Sequence, residues 1–463
     1  MVFPSFEFAF FFPVVLALSW ALMPYPRAWK PFVLAASYLF YSAASPRYCI
    51  LLAGLTLANQ AGAVLVHRTQ DERRRNWIVA AVVGVDLAVL GVFKYYGFFV
   101  DEVGRFLDSI GLGMPLPLLT IALPIGLSFI TFQAISYVVD VKRGLLAPAS
   151  TIDFGLYLSF FPHVVAGPIV RAREFIPQLA KPRDPRDVAV GAAVVLIALG
   201  LIKKVALADY LAREVVDPVF GVPEAYAAPD VALAAYAYAA QIYCDFSGYT
   251  DIAIGVALLM GFVFPQNFNS PYRATSFRDF WRRWHMTLSR FLRDFLYIPL
   301  GGNRGGKWRT ARNLMITMTL GGLWHGAAWG FVLWGGLHGT GLVVERVLRG
   351  RVSAPAWLRW LIVFNLVVLG WVLFRAESLD VAGTFLSRLA DPGEATLWAP
   401  VTVAVVVGVI GFQLLPPDPL ERLRLRVAEL PAYALGFGLA AVVALVGATV
   451  PSQGVPPFIY FQF

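Results

Sequence analysis

The chain has 463 residues, 58% hydrophobic and only 14% charged, with a formal net charge of +9. Soluble domains sit near a quarter charged, so a chain this apolar lacks the polar side chains to cover a water-facing surface and is expected to be a polytopic membrane protein. No polar stretch is long enough for a soluble domain, and the five histidines and two cysteines (Cys49 and Cys244) fall into no zinc-ligand or disulfide spacing, so neither a metal site nor a disulfide framework is expected.

A spanning helix needs ~20 mainly apolar residues. The opening MVFPSFEFAFFFPVV has no Lys or Arg before its apolar run and no small-residue cleavage site after it, so 6–25 predicts a first transmembrane helix, not a removable signal. Further apolar runs cover 31–44, 48–66, 76–98, 117–139, 152–170, 187–208, 231–262, 311–345, 356–376, 399–416 and 431–451. The run 31–44 is short, whereas 231–262 and 311–345 are too long for one plain span and must tilt, break or re-enter. The expected fold is all-α, with about eleven transmembrane helices plus re-entrant and interfacial pieces. It is expected to form a single membrane-embedded domain, with a core over about 117–345, N-terminal helices in 1–100 and C-terminal helices in 356–463. No internal repeat is evident, which argues against an inverted-repeat transporter.

Orientation follows from Lys and Arg in the links. Arg27–Lys30, His67–Arg75, Lys142–Arg143, Arg171–Arg186, Arg273–Arg312, Glu345–Arg351 and Glu421–Arg426 are expected to face the cytoplasm. Asp101–Asp108, Asp209–Asp230 and Glu377–Glu394 are expected to face outward, as is the N-terminus. Two basic links flank 152–170, so that run is expected to be re-entrant or broken, and Pro162, Gly167 and Pro168 within it interrupt a regular helix.

Between Arg273 and Arg312 ten Lys or Arg face only two acids, Asp279 and Asp294, so nearly all the charge excess lies in one block. Taken as a helix, Phe280–Leu296 places Trp281, Trp284, Leu288, Phe291, Leu292, Phe295 and Leu296 on one side. Arg282, Arg283, Thr287, Arg290, Arg293 and Asp294 fall on the other. This is the pattern of an interfacial helix, and His285 lies in its apolar arc. The arginines have two readings, anchorage to anionic lipid or contact with the phosphates of a cytoplasmic donor such as coenzyme A. His285 likewise reads as a satisfied packed residue or as a site residue. The next segment, IPLGGNRGGKW, carries four glycines and reads as a phosphate-cradling loop or a tight basic turn; it lacks the Gly-Lys-Ser/Thr ending of a nucleotide loop, which favours the turn.

In TLGGLWHGAAWGFVLWGGLHG small residues allow helices to approach closely, and His325 sits mid-segment between Trp324 and Trp329. An ionisable group inside a membrane is a functional-site candidate. A neutral imidazole there can take a proton from a hydroxyl attacking a thioester. His338 reads as structural. Asp245 and Asp251 lie in the apolar run QIYCDFSGYTDIAIG; hydrogen bonds to Ser247, Tyr249 and Thr250 at a helix break are the expected role of Asp251, and Asp245 reads either that way or as a residue nearer the site.

SFRDFWRRWHMTLSRFLRDFLYIPLGGNR followed by LGGLWHGAAWGFVLWG resembles the membrane-bound O-acyltransferase family. The stretches FYSAASPRYCILL, FKYYGFF, LPIGLSFITFQAISYVVDVKRG, FFPHVVAGPIVRAREFIPQL, IYCDFSGYTDIAIGVALLMGFVFPQNFNSPY and PFIYFQF agree with it, so the likeness spans essentially the whole chain. The resemblance implies a helical fold around a funnel and tunnel, with the WHG histidine, His325, as catalytic residue and the WRRWH histidine, His285, as second active-site residue. It also implies a bacterial inner-membrane enzyme moving acetyl from a thioester, acetyl-CoA, towards an exported polysaccharide such as alginate. Residues assigned to the donor are Trp281, Arg282, Arg283, Asn303 and Arg304. Expected partners are membrane lipid, a separate periplasmic or extracellular SGNH-type acetyltransferase and, indirectly, the polysaccharide; no nucleic acid is expected. D-alanyl transfer to teichoic acid, peptidoglycan O-acetylation and proton-coupled transport are the competing readings.

Overall fold

A computed structural model describes residues 1, 3–113, 122–181, 183–350, 353–449 and 458–459. Every regular element among them is helical. The chain divides into two compact units, Met1–Val188 with Ala257–Phe264, and Ala189–Val256 with Pro265–Phe463.

The first unit contains α1 (Phe6–Leu22), α2 (Pro26–Ser42), α3 (Pro46–Arg68), α4 (Glu72–Ser109), α5 (Leu127–Lys142), α6 (Thr151–Ser159), α7 (Phe161–Val164) and α8 (Ala172–Ala180). Proline opens α2 and α3, where its missing N–H costs nothing. The Asp71 side chain caps α4 through the Arg74 N–H at 2.9 Å. The run 152–170 is broken, as its prolines predict: α6 ends at Ser159, and Tyr157 ties the far side back by donating to the Val170 carbonyl at 2.9 Å. The link Asp101–Asp108 is helical within α4, whose Glu102 pairs with Arg105 one turn on at 2.8 Å. Part of the run 117–139 lies outside the described residues.

The second unit opens with α9 (Val190–Leu201), which continues through π-helical turns at Ile202–Ala208 and Ala212–Val216, on either side of α10 (Asp209–Leu211), into α11 (Asp217–Gly221). Then come α12 (Ala228–Leu259), α13 (Phe277–Trp281), α14 (Met286–Leu292), α15 (Lys307–His325), α16 (Trp329–Leu348), α17 (Ala356–Arg375), α18 (Leu379–Arg388), α19 (Pro400–Leu414), α20 (Pro417–Ala428) and α21 (Ala432–Thr449). Much of the predicted outward link Asp209–Asp230 is therefore helix. Two of its acids are neutralised inside the unit: Asp209 takes Lys204 at 2.6 Å and Asp217 takes Arg375 at 2.7 Å.

Two further expectations change, and one is narrowed. The run 231–262, expected to tilt, break or re-enter, does not break: α12 is continuous over 32 residues. Its carboxylates are met by lysines, not by neighbouring hydroxyls, Lys203 on Asp251 at 2.7 Å and Lys204 on Asp245 at 2.6 Å. The expected helix Phe280–Leu296 is interrupted, because residues 282–285 leave the helix between α13 and α14, and a π-helical turn over Arg293–Tyr297 follows. The run 311–345 does break, at Gly326–Ala328, into an antiparallel pair. A Cβ on Gly322 would strike the Phe331 carbonyl and one on Gly335 the Met318 carbonyl, so α15 and α16 touch backbone to backbone.

Among the described residues five helical stretches are long and apolar enough to cross a membrane, Pro46–Arg68, Glu72–Ser109, Val190–Gly221, Ala228–Leu259 and Ala356–Arg375, and Glu7–Leu22, Pro400–Leu414 and Ala432–Ala448 are shorter apolar helices. Exposed side chains such as Phe10, Ile50 and Val407 leave an apolar exterior suited to lipid.

Candidate active site

His285 occupies the break between α13 and α14. Its backbone is left-handed, φ 42° and ψ 55°, in a region that side-chain-bearing residues rarely adopt. Strain of this kind persists only where surroundings over-determine it, and here Asn267 does so. The Asn267 carbonyl accepts the Met286 N–H at 2.9 Å. Its side-chain Oδ1 accepts the Thr287 N–H at 3.2 Å and the Thr287 hydroxyl at 2.8 Å. A backbone N–H can only donate, so the atom it meets is the amide oxygen. His285 Nδ1, 3.1 Å from the same oxygen, must then carry the proton. Nε2 is left as the basic nitrogen of a buried ring wedged against Phe246 at 4.7 Å and Trp324 at 6.1 Å.

His325 ends α15 and is buried. Its ring meets Trp324 and Trp334 edge-on, both at 5.0 Å, and Phe374 of α17 at 5.3 Å. Trp324 thus touches both sequence-expected histidines, which the tertiary structure brings to one aromatic cluster. The cluster includes a third. His338 lies 4.7 Å from Trp334, stacks on Phe280 and accepts the Trp281 indole N–H at Nδ1, 3.2 Å away, so the proton of its neutral ring sits on Nε2.

A cavity of about 760 Å3 adjoins this cluster, within the usual size for a small-molecule site of roughly 300–1,000 Å3. Trp281, Arg282, Met286 and Thr317 line it together with Arg278, Arg290, Arg293, Arg346 and Arg349, against a single acid, Glu345. Of the residues assigned to the donor, Trp281, Arg282 and Asn303 line the cavity, and Arg283 and Arg304 do not. The Arg283 guanidinium is taken by Asp279 at 2.9 Å and the Asn269 carbonyl at 3.3 Å. The glycine loop is a tight turn: Gly301, Gly302, Gly305 and Gly306 all have positive φ, and Asn313 donates to the Gly302 carbonyl at 3.0 Å. Trp281 joins the two halves of the site, since one face borders the cavity and its indole N–H holds His338. From Met318, on the cavity wall, α15 rises about 10 Å to His325 at 1.5 Å per residue. Among the described residues no three His, Cys, Asp or Glu side chains gather as a metal-holding group.

The sequence profile of the membrane-bound O-acyltransferase family matches residues 126–375, more than half of the chain, and that segment holds all three histidines and every residue of the cavity wall. The chain belongs to the membrane-bound O-acyltransferase family. This O-acyltransferase is a multi-pass membrane enzyme that transfers acyl groups to oxygen. It is 39% identical to "Probable alginate O-acetylase AlgI" of Azotobacter vinelandii over the whole of both chains. It is 45% identical to the protein of the same name from Pseudomonas aeruginosa, over 82% of this chain and 73% of that one. It is 36% identical to "Peptidoglycan O-acetyltransferase" of Helicobacter pylori, over 82% and 77%.

Sequence reasoning missed Asn267, and it read His338 as structural without finding its partners. The contacts of both cross long sequence separations: Asn267 lies 18 residues from His285, and Trp281 lies 57 from His338. The one available signal was the amide pair Gln266–Asn267 in the otherwise apolar stretch FVFPQNF, and nothing in it singled out Asn267.

Proposed function

We propose that this O-acyltransferase takes acetyl from acetyl-CoA on the cytoplasmic side and commits it, through a hydroxyl reached from the far side, to O-acetylation of an exported polysaccharide. One observation carries the reading. An arginine-lined cavity abuts, through Trp281, the buried cluster that holds His285 and His325. Guanidinium groups suit the phosphates of a nucleotide thioester, and a buried aromatic cluster suits acyl transfer protected from hydrolysis.

In this reading His325 takes the proton of the attacking hydroxyl as its oxygen bonds to the thioester carbonyl carbon. The carbon–sulfur bond breaks and the departing thiolate receives that proton, so the histidine is restored. His285, its Nδ1 proton committed to Asn267, presents Nε2 to orient donor or acceptor. The relatives named for alginate and peptidoglycan favour a cell-surface glycan as final acceptor. An SGNH-type acetyltransferase beyond the inner membrane would then complete the transfer.

The decisive variant is His325→Ala. It is expected to abolish ester-linked acetate on the polymer while the protein still accumulates in the membrane. Wild-type acetylation in that variant would sink the assignment. Transfer from a loaded carrier protein, with no turnover of acetyl-CoA, would redirect the reading to D-alanylation.

A further inference from the structure

Inside the second unit, consecutive lysines on the π-helical turn after α9 face α12. Lys204 is almost fully buried and bridges two carboxylates, Asp209 and Asp245, each at 2.6 Å. An unpaired charge at such a site is strongly destabilising, and the bridge is therefore obligatory once either partner is present. The approach is backbone-close: a Cβ on Gly200 would come within 2.6 Å of the Gly248 carbonyl, so no larger residue fits where the two helices meet beside the lysines. Lys204 and Asp209 form a complete ion pair by themselves. Asp245 is the additional charge, and its second oxygen is engaged elsewhere, where Oδ2 accepts the backbone N–H of Ile459 at 3.0 Å.

That hydrogen bond joins α12 to a segment more than two hundred residues away in sequence. Ile459 is only 2% exposed, and Phe458 beside it 1%. The Phe458 ring packs on Tyr249 at 4.5 Å and on Phe246 at 5.5 Å. Phe246 in turn meets the His285 ring edge-on at 4.7 Å. Asp245 and Phe246 are neighbours on α12. One seats the backbone of the 458–459 segment, and the other lies between that segment's aromatic ring and the histidine.

We propose that Asp245, held in place by Lys204, is a positioning residue for the acyl-transfer site. It seats Phe458–Ile459 against Phe246 and so fixes the aromatic wall on which His285 rests. The inference builds on the functional reading above, because it takes His285 as part of the reacting site. It adds a role for a buried charge that touches neither histidine. A carboxylate suits this position because it accepts from Lys204 and Ile459 at once through two oxygens.

The test uses the full chain in native membranes, with Ile459→Cys as a reporter in a Cys49→Ser, Cys244→Ala background. Maleimide labelling of position 459 reports seating independently of catalysis, and transfer from acetyl-CoA is measured in matching variants that keep Ile459. Asp245→Ala leaves the Lys204–Asp209 pair intact, so the protein is expected to accumulate. Labelling should quicken at least tenfold and transfer should fall at least tenfold, with the KM for acetyl-CoA within twofold. Phe458→Ala, which leaves the ion bridge alone, should lower transfer in the same way. The neutral triple variant Lys204→Met, Asp209→Asn, Asp245→Asn keeps an acceptor for the Ile459 N–H and should restore slow labelling and most of the transfer, which mere damage to the core would not allow. Unchanged labelling in Asp245→Ala overturns the proposal. So does faster labelling with wild-type transfer, or a triple variant that labels slowly yet stays as impaired as Asp245→Ala. Absence of acetyl-CoA turnover in the parent protein overturns the functional reading and the positioning role with it, and the labelling result then stands as a statement about seating alone.

Discussion

At the scale of single residues, long-range contacts fix which nitrogen holds the proton in His285 and in His338. Asn267 decides this for His285, because three donors meet its one oxygen. Asn267→Ala removes that acceptor and strands the buried Thr287 N–H, at a cost of about 1–3 kcal/mol. It also loosens the left-handed backbone at His285, which the Met286 N–H on the residue-267 backbone carbonyl still holds. The expected outcome is a loss of transfer of at least tenfold with protein still present in the membrane, measured as acetyl-CoA turnover against the amount of enzyme; near-normal turnover would show that the tautomer does not matter. The two histidines could be found in the sequence because ionisable groups are rare in apolar segments and stand out there. Asn267 could not, since an amide announces no partner, and its partners are chosen by how the chain returns to it.

At the scale of elements, hydropathy located every apolar run but not how each would bend. The break in 311–345 was foreseeable from length and small residues. The break at His285 was not, since Phe280–Leu296 has an unblemished amphipathic pattern and no proline or glycine. The helix yields there because Asn267 captures the Met286 and Thr287 N–H groups that a continuous helix would have used. Conversely, α12 stays whole because lysines from the π-helical turn meet its carboxylates. The α15–α16 pair rests on glycine at two facing points. Gly322→Ala or Gly335→Ala forces a methyl into a backbone carbonyl and should destabilise by about 1–3 kcal/mol. Gly336→Ala, which meets nothing within 4 Å, should be neutral to slightly stabilising in the helix. Thermal melting of the detergent-solubilised protein separates them, and equal melting temperatures for Gly335→Ala and Gly336→Ala would refute the close approach.

At the scale of the whole molecule, charge is concentrated and its use is divided. The basic block between Arg273 and Arg312 supplies some arginines to the cavity and commits others elsewhere, as with Arg283 on Asp279. Arg282→Ala is therefore expected to raise the KM for acetyl-CoA roughly threefold to tenfold, as loss of a charge-assisted contact at a partly open site would. Added salt should narrow the gap from wild type by screening. Arg283→Ala should leave that KM unchanged, and an equal rise in both variants would mean that the block acts only through its overall field. The sequence by itself determined the membrane class, the all-helical fold and the family, and it singled out the two histidines as candidates. Each of these follows from composition or from residues close together along the chain. Only the tertiary structure decided the strained His285 backbone, the tautomers set by Asn267 and Trp281, the pairing of Lys204 with Asp245, and which arginines line a cavity. These depend on contacts between segments far apart in sequence, whose partners are fixed by how the helices pack.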